Sequence, residues 1–240
     1  MQDASDKLKN TLLGSPVTEY DVRQLLDKVV GGLAMPGKNP GFAIVAGLRQ
    51  PPPYTSKLPE IYILDERELP DMQALLRQCR ALGSQYNIDL NGAFQWFGDG
   101  GNTSVQAIVC DLNREHRAAH PPAYHHRDDL TVLTTPLLDW DTPYPAMLGQ
   151  LKDCLRPDHK LLYLRGSKVT QYMDGIKPDE HADLRFGAYP AIEALSFAVK
   201  ALRSEAEYHQ WQQQHEHEKI PHYEPADYLE LDGYDPTSYV

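Results

Sequence analysis

The sequence predicts an α/β protein: a mixed sheet with flanking helices, an N-terminal helical arm and an acidic C-terminal tail. Three observations carry this. Gly41 to Leu48, GFAIVAGL, is almost wholly apolar, as expected of a strand covered on both faces. Met72, Leu75, Leu76, Cys79 and Leu82 recur at three- and four-residue steps, which predicts a helix with one apolar stripe. Ala93 to Glu115, AFQWFGDGGNTSVQAIVCDLNRE, reads as a buried strand, a glycine-rich turn and an amphipathic helix.

Taken in order, residues 1–40 form the arm. Val22, Leu25, Leu26 and Val29 lie at helical spacing there, and Gly31-Gly32 and Pro36-Gly37 are read as its end. After the strand at Gly41, Pro51-Pro52-Pro53 forces a break, and EIYILDERE (Glu60 to Glu68) supplies the β-favouring run of a second strand. Pro70 suits the first turn of the helix that follows.

Asn102 or Thr103 caps the next helix, whose buried face carries Val105, Ile108, Val109 and Leu112. Leu130 to Leu138 reads as a strand, and Met147, Leu148, Leu151 and Leu155 mark a helix. Lys160 to Gly166 is compatible with strand or helix. Pro190 opens a long closing helix with a stripe of Ile192, Leu195, Val199 and Leu202. The domain is therefore set at 41–204 and the tail at 205–240.

The net charge is −11, and it is uneven. Residues 205–240 hold nine of the 34 acids and one of the 23 bases, so the remainder has 25 acids, 22 bases and a net charge of −3. Acidity disfavours nonspecific attraction to nucleic acid or anionic lipid, although a near-neutral body has room for a local basic groove. The tail is rich in tyrosine and proline without period, as an extended or docking segment would be.

There is no apolar run near 18 residues and the start, MQDASDKLKN, lacks a secretory layout, so a soluble, cytoplasmic protein is expected. Cys79, Cys110 and Cys154 are odd in number and lie in helical patterns. They are read as buried reduced thiols.

Asp99 closes the strand WFGD, and acids at the carboxyl ends of strands face the crevice where α/β folds bind ligands. The bland alternative is a turn in which Asp99 bonds local amides. Glu193 lies in the first turn of the closing helix, where a carboxylate also meets the helix dipole. Asp65 and Glu66 lie near a strand end, where exposed acids are common.

GDGGNTS could also cradle a phosphate at a helix start, but it has neither Walker nor dinucleotide spacing. His116 and His120, His125 and His126, and His215 and His217 fit no zinc signature.

From Gly41 to Leu202, about two thirds of the chain, the order of elements resembles the RNase H-like nuclease domain of phage large terminase subunits. The resemblance rests on a first strand, YILDERE as the next, a helix, the strand ending WFGD and the closing helix with AIEAL. It implies metal-dependent hydrolysis of DNA phosphodiesters by a phage or prophage protein, with DNA and a packaging ATPase on another chain as partners, since these residues hold no Walker loop.

It also implies two Mg²⁺ or Mn²⁺ ions held by clustered carboxylates, one activating water and one stabilising the leaving oxygen. Asp99 takes the second acid position and Glu193 the third. At the first, the chain offers Ala46 and Gly47 in place of an aspartate; Asp65 or Glu66 of the neighbouring strand could substitute, alternation lets only one of the two face a given side, and Asp65 is preferred. The alternative implied by that departure is a catalytically inactive RNase H-like binding or assembly module.

Overall fold

A computed structural model of the 240-residue chain describes residues 25–50, 59–88, 93–120, 129–134, 151, 160–162, 167–175 and 187–215. The predicted arm helix before residue 25, most of the predicted Met147–Leu155 helix, Cys154, His125, His126 and the tail beyond 215 lie outside the described residues. The chain divides into two compact units, Met1–Ser204 and Glu205–Val240. No helix among the described residues is long and apolar enough to cross a membrane.

The first unit is α/β, built on a six-stranded mixed sheet. Its strands are β1 (Lys28–Ala34), β2 (Gly41–Arg49), β3 (Glu60–Leu69), β4 (Gln95–Gly98), β5 (Thr131–Thr134) and β6 (Lys160–Leu162). The helices are α1 (Met72–Tyr86), α2 (Thr103–Ala119), α3 (Lys168–Gly175) and α4 (Pro190–His215). The strand order is β5-β4-β1-β2-β3-β6. β1, β2 and β3 form an antiparallel meander, β4 and β5 add parallel to β1 on one side, and β6 adds parallel to β3 on the other.

β1 corrects the sequence reading. Leu25, Leu26 and Val29 fit a helical period, but Lys28–Ala34 pairs along its whole length with β2, Gly31 opposite Val45 and Gly32 opposite Ile44. The two glycines read as a stop signal lie inside the strand because neighbours approach the backbone closely there. A Cβ on Gly31 would stand 2.2 Å from the indole ring of Trp96, and one on Gly32 would stand 1.8 Å from the carbonyl oxygen of Ala194. The sheet therefore begins before residue 41, and GFAIVAGL is its second strand.

Alternation divides the sheet into two faces. Val29, Leu33, Ala43, Val45 and Tyr62 pack in one cluster with Leu75, Leu76, Cys79 and Leu82 of α1, Val105, Val109 and Leu112 of α2, and Trp96 of β4. Each fully buried side chain of this size contributes roughly 1.5–3 kcal/mol. The opposite face carries Val30, Gly32, Ile44 and Ala46, and the Gly32–Ala194 approach places α4 there. Ala191 to Val199 of α4 are buried around the whole circumference, so this helix is internal for its first turns.

Caps fix where the helices start. Asp71 is the N-cap of α1, so Pro70 precedes the helix instead of lying in its first turn, and the Asp71 carboxylate accepts the amide of Ala74 at 2.6 Å. Pro70 sits one residue outside the cap. Asn102 caps α2 as expected, accepting the amides of Ser104 at 3.0 Å and Val105 at 3.4 Å. Arg80 joins the two helices by donating to the Leu112 carbonyl and the Asn113 side-chain oxygen, both at 2.5 Å. Asn113 in turn holds the start of β5, exchanging hydrogen bonds with the backbone of Leu130 at 2.8 and 2.9 Å.

The thiols differ from expectation. Cys79 is buried and its pKa is pushed up by burial, but Cys110 is exposed. On α2 the buried stripe runs through Val105, Val109 and Leu112, and position 110 falls outside it.

Candidate functional site

Parallel strands β1, β4 and β5 end on the same side of the sheet, and Asp99 follows β4 directly at that edge, bridged to Thr134 at the end of β5. The half-buried carboxylate accepts from the side-chain amide of Asn102 at 3.1 Å, and the Asn102 amide donates to the Asp99 carbonyl at 3.3 Å. Asp99 and the cap of α2 are thus one turn, stiffened by Gln106, whose amide reaches the carbonyls of Gly100 at 2.6 Å and Val132 at 3.2 Å. Asn102→Ala removes both the cap and this contact. It should cost about 1 kcal/mol in urea unfolding, with unchanged dependence on denaturant.

Glu193 sits in the first turn of α4 and is 4% exposed. Its carboxylate folds back over the helix start and accepts the amides of Gly187 and Tyr189. Burial pushes its pKa from 4.5 up to about 7, and those two amides hold it from rising further. The same loop is tied to the β1–β2 hairpin: the Asn39 amide donates to the carbonyls of Gly187 at 2.7 Å and Ala188 at 3.1 Å. The loop carries Gly187 at φ +89°, a conformation that favours glycine.

Asp65 is engaged elsewhere. It forms an ion pair with Arg67, whose second guanidinium nitrogen lies at 3.1 Å, and it accepts the Tyr86 hydroxyl of α1 at 3.3 Å. The register explains the orientation. Val45 pairs with Asp65 and Ala46 with Ile63, so Leu64 is an extra residue in β3, a bulge that shifts the alternation. Asp65 then faces α1, with Val45, while Glu66 faces the α4 side, with Ile44. Asp65 and Glu193 therefore lie on opposite faces of the sheet.

A comparison of the chain with known protein families, with curated proteins and with solved structures finds no match.

Of the three acids predicted from sequence, Asp99 and Glu193 belong to elements at the carboxyl end of β1, and Asp65 is separated from Glu193 by the sheet. Among the described residues, no three His, Cys, Asp or Glu side chains stand close enough to hold a metal ion. The acids that do share the α4 face of β3 are Glu66 and Glu68, and both have partners. Glu66 accepts the Ser167 hydroxyl and, at 2.9 Å, the Lys168 amide at the start of α3. Glu68 pairs with the Lys168 ammonium and lies 3.5 Å from the Tyr172 hydroxyl.

Tyr172 meets the Tyr189 ring edge-on at 6.5 Å between centroids, linking α3 to the loop that Glu193 holds. The signal for this cluster was present in the acidic alternation of DERE, but only the bulge reveals which acid turns which way.

Proposed function

We propose that the chain is a noncatalytic binding or assembly module with an RNase H-like fold, related in architecture to the nuclease domain of phage large terminase subunits. Support for the fold is the sheet itself: an antiparallel meander followed by helix-connected strands added parallel to the first, with a closing helix on the opposite face. This is the arrangement expected of RNase H-like domains, with GFAIVAGL and YILDERE as its second and third strands.

One observation carries the noncatalytic reading. The resemblance set the first carboxylate on GFAIVAGL, where the chain has Ala46 and Gly47 and which proves to be β2; on β1, the strand that comes first in the sheet, the central position toward α4 is Gly32, packed so closely on the Ala194 carbonyl that a side chain has no room. Three further facts agree with it. Asp65, the substitute, faces α1; the Glu193 carboxylate accepts the Gly187 and Tyr189 amides of its own loop; Asp99 accepts from the Asn102 side chain. A catalytic Mg²⁺ or Mn²⁺ pair is held by carboxylates that converge on one region, with water and substrate phosphates completing each shell.

Incubation of the purified protein with plasmid and linear DNA in Mg²⁺ or Mn²⁺ tests this reading. The DNA should stay intact, as it does with Asp99→Ala, while the protein retards DNA in a gel or sediments as a self-associated species. Metal-dependent cleavage lost in Asp99→Ala would restore the nuclease reading, with DNA and a packaging ATPase as its partners. A monomer that neither binds DNA nor self-associates would contradict a binding or assembly role.

A further inference from the structure

Trp96 is the largest fully buried side chain of the core, and its indole nitrogen has no hydrogen-bond partner among the described residues. Buried Trp N–H groups ordinarily find an acceptor, because a donor left without one in the interior costs about 1–3 kcal/mol. The ring cannot turn to seek one. Its six-membered side lies against Gly31, where a Cβ would stand 2.2 Å away, and the Phe94 ring lies 5.4 Å from it between centroids.

Trp96 borders a cavity of about 10 Å³ lined also by Ser84 and Arg80 of α1 and by Asp129 and Leu130 before β5. A volume near 10–15 Å³ accommodates one water molecule, and a water persists in such a place when two to four polar groups surround it. The Asp129 carboxylate, held by Arg117 with one contact at 3.2 Å, keeps acceptor capacity beyond that ion pair.

We infer that this cavity is a binding site for a single structural water that accepts the Trp96 indole N–H and donates to Asp129. The water joins β4 to the entry to β5 through hydrogen bonds beside α1, where the described residues leave the tryptophan donor unsatisfied. It thereby belongs to the packing that fixes β4 and the Asp99 turn at its end.

The test uses the full-length protein, uniformly labelled with ¹⁵N. The three tryptophans give three indole signals, and Trp96→Phe assigns the one in question. If that variant does not fold, Trp140→Phe and Trp211→Phe assign it by elimination. The expected result is a cross-peak between the Trp96 indole proton and water, with the sign of a long-lived contact, on a proton that exchanges slowly with solvent. A slowly exchanging Trp96 indole proton with no water cross-peak would overturn the proposal, as would a rapidly exchanging one.

Discussion

Gly32→Asp, which places an acid on the first strand, should destabilise the protein by at least about 3 kcal/mol, and the variant should gain no affinity for Mn²⁺. The added Cβ would stand 1.8 Å from the Ala194 carbonyl oxygen and 3.0 Å from the Ala198 side chain, both on a helix buried on every side. Nothing there is a flexible tip that can swing away, so β1 and α4 must separate, and a carboxylate is then buried beside a carbonyl oxygen. Gly32→Ala should show the steric part of the loss alone. Gly37→Ala, where a Cβ meets nothing within 4 Å, should change stability by less than about 0.5 kcal/mol. Urea unfolding of the three variants measures all of this.

The second large effect is a pH dependence set by Glu193. Its pKa is about 7 in the folded chain against 4.5 as a free side chain. Between those values the folded chain holds a proton that the unfolded chain has released. The stabilisation is therefore fully present below pH 4.5 and is lost as pH rises through 7. The shift corresponds to a loss of about 3 kcal/mol.

Glu193→Gln keeps an oxygen for the Gly187 amide but cannot ionise. The difference in stability between variant and wild type should move by about 3 kcal/mol in the variant's favour between pH 5 and pH 8, a swing of roughly 6–12 °C in melting temperature for a domain of this size. A difference that stays flat with pH would mean that the buried carboxyl does not titrate in that range.

The readings that succeeded from sequence rest on signals internal to one element. The stripe of Leu75, Leu76, Cys79 and Leu82, the Asn102 cap and Pro190 at the start of α4 each depend on spacing within a few residues, and each appears as expected. The readings that failed depend on what another element does. Gly31 and Gly32 look like punctuation unless Trp96 and Ala194, more than 60 residues further on, are known to press on them. Their strand was consequently read as the end of a helix.

The candidate site was harder to read for the same reason. Asp99 at the end of β4 and Glu193 in the first turn of α4 lie where the sequence placed them along their elements, since a strand end and a helix start are local features. Asp65 was chosen over Glu66 by position alone, and the bulge at Leu64 reverses which of the two faces α4. A single inserted residue in a strand exchanges the two faces for every side chain beyond it, and no hydropathy pattern in YILDERE marks the insertion. The Asn39 link from the hairpin to Gly187 and Ala188 spans nearly 150 positions and has no sequence signature.

The most direct test of the central claim, that the mixed sheet carries no working carboxylate cluster, is thermal unfolding at fixed pH in EDTA, Mg²⁺ and Mn²⁺, comparing wild type with Asp99→Ala. An ion that binds only the folded state must raise the midpoint, by an amount that grows with concentration. The account predicts no Mn²⁺-dependent rise at millimolar metal in either protein. A rise in the wild type that Asp99→Ala abolishes would place a metal at Asp99 and contradict it.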